Sequence, residues 1–470
     1  MAGLWEKGAL LAAVTGEARG SLPASFGGVS IDSRTLIAGD IFFCIKGERF
    51  NGHDFAAAAY KAGAGCLVVD KAHAPVLQQI GAPLLVVDNV LTALEQLGKS
   101  ARARMCGTII AVTGSVGKTT TKEALRHILK AFGRVHANPS SFNNHWGVPL
   151  SLARMPADCD FGVFELGMNH AGEIRTLVSM VKPHIALITK IATGHMFFFQ
   201  GIEDIAAAKA EIFTNMGPDP AAVLPADDHF FDSLSQTAKA QKVKTILSFG
   251  KAKEASCRLL RARLLNDHSE VDTEIGGRKQ HFTLKAPGAH MVDNSLATLA
   301  ICYRLGLDLE KASALFADFY PQKGRGARYT LALSPEAEFT LIDESYNANP
   351  ASMRAALALL SIYQGRRLAV LGDMLELGKD SVAYHNDLVS SILASKIDHA
   401  FLIGPKMAGL TYALSKHIKV DHRLSTDDIV EPLIKNLRGG DVVMVKSSST
   451  MGSSALVTAL LERYKPKNVI

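Results

Sequence analysis

The stretch Thr113-Gly-Ser-Val-Gly-Lys-Thr-Thr-Thr-Lys122 follows directly on the apolar run Thr108-Ile-Ile-Ala-Val112. A β-branched strand, a glycine-bearing turn and then a helix with Leu125, Ile128, Leu129 and Phe132 at helical spacing leave few folds open. This order brings backbone N–H groups and a helix N-terminus to one point, which attracts a polyphosphate. Lys118 would lie beside the β- and γ-phosphates and Thr119 would offer its hydroxyl to Mg²⁺. Gly114, Ser115, Val116, Gly117 and Thr120 complete the expected cradle. The strict P-loop pattern asks for a glycine five residues before Gly117, and Val112 stands there. The bland alternative is a tight turn opening a surface helix. Adjacent glycine, lysine and threonines at a helix start favour the cradle.

A loop of this kind needs a parallel sheet around it, and the rest of the chain supplies the pattern. At 470 residues the length corresponds to roughly three domains. Up to about residue 105, β-like runs start at Ile41, Cys66 and Pro83, with alanine-rich helical segments between them. The second block adds Phe161-Gly-Val-Phe-Glu165 and Ile185-Ala-Leu-Ile-Thr189 to the strand before the loop, each separated by helical pattern. That predicts a largely parallel sheet with crossover helices. The third block starts after Tyr320-Pro-Gln-Lys-Gly-Arg-Gly-Ala327. It reads strand (Phe339 to Asp343), helix (Pro350 to Leu360), strand (Arg367 to Leu371), helix, strand (Ala400 to Gly404), helix, strand (Asp441 to Lys446), helix. This is a doubly wound unit. No GxGxxG follows any strand, so the pattern does not imply NAD. The expected boundaries are 1–105, 106–321 and 322–470.

Composition narrows the partners. The chain is 48% hydrophobic and 20% charged, with a formal net charge of +6 and no run of five Lys/Arg, so no nucleic-acid partner is expected. No apolar window reaches the length of a membrane span, and the flanks of the short apolar patch at Ala9 to Val14 do not read as a signal peptide. Six scattered cysteines without a CxxC pair read as buried thiols in a reduced compartment. A cytoplasmic monomer acting on small molecules is expected.

A bound nucleotide with magnesium needs acidic ligands. Glu165 ends an apolar run, and a carboxylate at the carboxyl end of a parallel strand points at the ligand crevice; a solvated strand-end glutamate is the alternative. His195, in Ile191-Ala-Thr-Gly-His195, also follows a strand, where a lone histidine is more often structural. Lys209, in Ala206-Ala-Ala-Lys-Ala-Glu-Ile-Phe213, reads from its residues as a solvated helix lysine.

The ensemble resembles the Mur ligase family, ATP-dependent enzymes that lengthen the peptidoglycan stem peptide. The family loop is typically T-G-x-x-G-K-T, without the first P-loop glycine, as in Thr113 to Thr119. Asp32-Ser-Arg34, Gly39-Asp-Ile-Phe-Phe43 and Gly47-Glu-Arg-Phe-Asn-Gly-His-Asp-Phe55 resemble its UDP-binding domain. Phe142-Asn-Asn-His-Trp-Gly-Val-Pro-Leu150 resembles a substrate-contacting loop. Ala207-Ala-Lys-Ala-Glu-Ile212 resembles the segment bearing a carbamylated lysine. Gly288-Ala-His-Met-Val-Asp-Asn294 and Gly324-Arg325 resemble adenine- and phosphate-contacting elements. The most specific signs are Asp343-Glu-Ser-Tyr-Asn-Ala-Asn-Pro350 and Val370-Leu-Gly-Asp-Met-Leu-Glu-Leu-Gly378. Two stretches depart from the family pattern: Phe197 replaces a usual acidic residue, and Lys446-Ser-Ser-Ser-Thr450 replaces K-G-S-R.

The resemblance implies an α/β protein of three domains: a UDP-binding α/β domain, a central P-loop ATPase-type parallel-sheet domain and a C-terminal Rossmann-like doubly wound domain. It implies an ATP-dependent amide ligase that adds D-alanyl-D-alanine to UDP-N-acetylmuramoyl-tripeptide through an acyl phosphate. Lys118, Glu165, His195, Lys209 and Arg325 would be the catalytic set. Thr119, Glu165, His195 and a carbamylated Lys209 would hold Mg²⁺. Asn294, Asp343 and Arg325 would contact ATP. Ser33, Arg34, Lys46, Asn51, Asn143, Asn144, Tyr346, Asn347 and Asn349 would contact substrate. A folate polyglutamate ligase is disfavoured by the Asp32-Ser-Arg34 block and the Tyr346 to Pro350 run, and a GTPase by the lack of any Asn-Lys dipeptide.

Overall fold

The computed structural model describes residues 3–139, 142–194 and 196–469. Apolar runs that are continuous rather than alternating demand a sheet covered on both faces. The strand Thr108–Thr113 shows why: Ile110 and Val112 enter one core while Ile109 and Ala111 enter another on the opposite face. This strand is the third from one edge of a nine-stranded sheet, flanked by Phe161–Glu165 and Ile185–Ile188, both parallel to it. Helices Lys118–Leu129 and Ala289–Arg304 cover one face; Gly147–Ala153, Glu173–Val181 and Ile202–Ala210 cover the other.

Two smaller sheets stand beside it. Residues 17–87 supply a five-stranded sheet whose strands Val29–Ser30, Ile41–Phe43, Cys66–Asp70 and Leu84–Val87 are parallel, with Glu17–Arg19 antiparallel at one edge. Residues 327–469 supply a seven-stranded sheet. Its five parallel strands run in the spatial order Lys419–Arg423, His399–Ile403, Arg367–Gly372, Val442–Lys446, Ala337–Asp343. Buried cores lie on both faces of this sheet. The α/β class and doubly wound third block expected from the periodicity are therefore present, and the helix Pro350–Leu360 has the expected bounds, opened by an Asn349 capping box.

The central sheet is largely parallel as expected, and Cys257–Leu264, Ser269–Ile275 and Arg278–Leu284 extend it at one edge as an antiparallel meander that the sequence pattern did not indicate. Alternating burial along Ser269–Ile275 marks a strand with one wet face, a pattern hidden in a run rich in charges. The third block begins earlier than its first expected strand, with Ala327–Ser334 antiparallel to Ala337–Asp343. Of the six cysteines, five are buried as expected and Cys106 is exposed. Among the described residues no helix is long and apolar enough to cross a membrane.

Candidate active site

Val112 stands where the strict motif asks for glycine because the strand continues through it. It pairs with Glu165 on one side and Leu187 on the other and is fully buried. The turn begins two residues later, and there glycine is needed. Gly114 has φ +147°, and a Cβ on it would lie 1.9 Å from Thr189 Oγ1. Gly117 has φ +86°, and a Cβ on it would lie 2.6 Å from Asn294 Oδ1. The loop is tied down from below: Ser115 N–H donates to Lys190 O, and Thr189 Oγ1 donates to Val116 O at 2.6 Å. The helix opens at Lys118, so the unpaired N–H groups of its first turn are left for an anion.

Residues of this loop line a cavity of about 440 Å³ between the central and C-terminal sheets. Lys118 Nζ donates to Gly114 O at 2.7 Å, and burial pulls its amine below the ordinary lysine range. Thr119 Oγ1 donates to Glu165 Oε2 at 2.6 Å, and Asn143 Nδ2 donates to Glu165 Oε1 at 2.7 Å. A hydroxyl and a carboxylate at a phosphate-binding helix start form a hard oxygen donor set, which fits Mg²⁺. Lys209 also lines the cavity, and here the solvated-lysine reading is overturned. The residue is 3% exposed, because it lies on the buried side of its helix Ile202–Ala210 with Ile205, Ala206 and Ala208, while Glu203, Asp204 and Ala207 face outward. Desolvation, and secondarily the Lys118 charge, lower its pKa well below the usual value. Among the described residues its ammonium has no hydrogen-bond or ion-pair partner. His195 lies outside the described residues.

The C-terminal sheet supplies the opposite wall. Arg325 lies with its guanidinium 3.8 Å from the ring centroid of Tyr346, and both line the cavity with Asn347 and Asn349. Asn294 reaches it from the helix Ala289–Arg304. Asp343 does not line it: fully buried, its carboxylate accepts from Gly324 N, Ser345 N and Ser345 Oγ. In this structure Asp343 shapes the turn that carries Arg325. The Asn144 side chain is engaged at the start of the next helix, where Oδ1 accepts from Gly147 N–H at 2.9 Å.

The candidates of the first block lie apart from this cavity, at the carboxyl ends of their own parallel strands. Arg34 is exposed and makes a bidentate pair with Asp32 (2.9 and 2.7 Å). Ser33 is half-buried and Lys46 exposed, and Lys46 forms a bridge with Asn51. The Asn51 side chain is engaged internally: Oδ1 accepts from His53 N and contacts His53 Nδ1, and Nδ2 lies 3.4 Å from His73 Nε2. His53, Asp70 and His73 are close enough to suggest a cation site. The two imidazoles are stacked, however, 3.9 Å apart at 13°, so their lone pairs run side by side rather than converge.

Several cavity residues escaped the sequence reading. Lys446, 3% exposed, donates to Asn347 O at 2.9 Å and pairs with Glu344 at 3.3 Å. Its signal was a basic residue at the carboxyl end of a parallel strand. The serines after it are ties: Ser447 Oγ bonds Ser453 Oγ, and Ser448 Oγ accepts from Leu375 N–H. Phe197 is exposed, and its N–H donates to Glu376 O, joining the central block to the C-terminal one. Asp293 and His290 carry no local signature that separates them from helix-surface residues.

Fold and site together define a P-loop nucleotide-dependent enzyme whose cavity is closed by a second α/β domain. Three family models match in chain order: the Mur ligase family catalytic domain over 25–102, the Mur ligase middle domain over 112–302 and the Mur ligase, glutamate ligase domain over 328–449. The chain belongs to the Mur ligase family. It is 32% identical to the UDP-N-acetylmuramoyl-tripeptide–D-alanyl-D-alanine ligase of Rickettsia prowazekii, covering 89% of this chain and 92% of that one. It is also 32% identical to the Bacillus subtilis enzyme of the same name, over 93% of each. The crystal structure of MurF from Acinetobacter baumannii superposes with a TM-score of 0.84 at 30% identity, over 97% and 99% of the two chains.

Proposed function

We infer that this chain is an ATP-dependent ligase that adds D-alanyl-D-alanine to UDP-N-acetylmuramoyl-tripeptide in peptidoglycan precursor synthesis. The observation that carries this reading is the joint cavity, with the cradle Ser115 to Thr120 on one wall and Arg325, Tyr346, Asn347 and Asn349 on the other. It lies in a chain alike over nearly its whole length to enzymes of that name.

Amide formation from a carboxylate is uphill, so the carboxylate first takes the γ-phosphoryl group of ATP, and the dipeptide amine then displaces phosphate. Two anions must meet, and unit charges at ~4 Å repel by about 4 kcal/mol at an effective dielectric near 20. Lys118 and Arg325 face each other across the cavity and offset this repulsion. Thr119 and Glu165 would hold Mg²⁺, which supplies further charge neutralisation when bound. Lys209, desolvated and unpartnered among the described residues, suits carbamylation, which needs the neutral amine and converts it into a carboxylate-like ligand. His195 would complete that second metal position. Asn294 would contact the nucleotide; Tyr346, Asn347 and Asn349 would contact nucleotide or dipeptide. Asp343 would act on the nucleotide through the Gly324–Arg325 turn.

The three functional blocks follow as 1–105 for the UDP-sugar peptide, 106–321 for ATP and 322–470 for closure over both. Ser33, Arg34, Lys46 and Asn51 would hold the UDP end, and Asn143 and Asn144 the sugar–peptide part. Closure excludes water, which would hydrolyse an acyl phosphate. We place the enzyme in the cytoplasm as a monomer. The deciding experiment is phosphate release with ATP, D-alanyl-D-alanine and UDP-muramoyl-tripeptides carrying lysine or diaminopimelate as third residue. Release that needs all three substrates supports the reading; release indifferent to the dipeptide rejects it.

A further inference from the structure

The strand Val135–Ala137 pairs with Phe161–Glu165 only as far as Ala137↔Val163. Glu165, two residues further on, would then have its backbone N–H and C=O unpaired on that side, in a fully buried place where an unmade hydrogen bond is destabilising. One side chain makes both bonds. Glu165 N–H donates to Asn138 Oδ1 at 2.8 Å, and Asn138 Nδ2 donates to Glu165 O at 3.1 Å. The carboxamide thus copies the next residue pair of the sheet. Its Nδ2 also donates to Phe142 O at 2.8 Å, which fixes the loop whose next residue, Asn143, holds Glu165 Oε1. Asn138 is itself wholly buried, and its carbonyl accepts from Lys122 Nζ at 2.6 Å, on the helix that begins with the phosphate loop.

We propose that Asn138 is a positioning residue for the reaction: one carboxamide sets the magnesium carboxylate Glu165 and the substrate loop Phe142–Asn144 in register with each other. It touches no reacting atom. It acts by holding the Glu165 backbone where Oε2 meets Thr119 and Oε1 meets Asn143, so that the carboxylate does not have to be ordered when a cation arrives. This rests on the reading of Glu165 as a magnesium ligand.

The test is calorimetric titration of ADP into the full-length protein with and without magnesium chloride, for wild type, Glu165→Gln, Asn138→Asp and Asn138→Ala. Asn138→Asp keeps the shape and the acceptor while losing both donors, and ADP affinity without magnesium serves as the check on folding. Outer-shell partners of metal ligands typically contribute about 10–100-fold to metal affinity. The expected result is unchanged ADP affinity without magnesium and an at least about tenfold smaller gain on adding it. In turnover, the half-maximal magnesium concentration should rise while KM for D-alanyl-D-alanine stays put. If Glu165→Gln keeps the full magnesium gain, the reading of Glu165 is wrong. If Glu165→Gln loses the gain and a folded Asn138 variant keeps it, the positioning role is overturned.

Discussion

Thr119 Oγ1 and Glu165 Oε2 are 2.6 Å apart although 46 residues separate them in the chain. The hydroxyl opens the helix after the phosphate loop, and the carboxylate ends the neighbouring parallel strand, so the sheet alone makes them adjacent. Replacing Thr119 by valine keeps the volume and removes the oxygen. Turnover should fall, with magnesium demand raised. A magnesium titration of the rate that overlays wild type would rule out the hydroxyl as a ligand.

Lys118→Ala should fold, since the ammonium bonds its own loop at Gly114 O. Turnover should drop by about 10²–10³, the usual cost of one such electrostatic contact. Circular dichroism and phosphate release on the same preparation check both halves, and near-normal kcat would reject the role.

Lys209→Ala should lose activity that acetate partly restores, while acetate should do nothing for Lys118→Ala. Burial depresses the amine's pKa, which favours the neutral form that reacts with CO₂. Exhaustive removal of CO₂ should therefore lower activity, and bicarbonate should return it. Indifference of both the wild type to CO₂ and the variant to acetate would leave Lys209 an uncarbamylated lysine.

Arg34→Ala removes an exposed ion pair with Asp32, which contributes little to stability. Its expected effect is on the UDP end alone: weaker binding of the UDP-sugar peptide with ADP binding spared. Equal loss for both ligands would move Arg34 out of the substrate site.

His136 gives a pH signature. Its pKa is lowered by burial from 6.5 to about 4, and its Nε2 bonds Ser151 O at 2.7 Å. The unfolded chain binds the proton more readily, so stability is full above about pH 6.5 and declines as pH falls towards about 4. In His136→Gln this part of the acid sensitivity should vanish. Thermal melts between those limits decide it: parallel curves for both proteins would show that another group is responsible.

What the sequence determined by itself was whatever short-range physics writes locally. The apolar runs at Thr108–Thr113 and Phe161–Glu165 declared strands buried on two faces, and Gly114 and Gly117 declared the turn between strand and helix. The Asn349-Pro350 start of a helix was likewise legible, because capping chemistry lies within four residues. Lys209 and Asn138 were not legible. Whether a helix lysine is solvated or sealed in a cavity depends on what packs over it, and here the cover comes from distant segments. Asn138 looks like a loop asparagine until the strand beside Glu165 is seen to stop two residues short of it. Asp343 shows the same limit in reverse: a carboxylate at a strand end points at a crevice by rule, yet Gly324 and Ser345 fold back to occupy it. Such roles are decided by tertiary structure because burial and hydrogen-bond satisfaction are properties of the assembled chain, set by neighbours far apart in sequence.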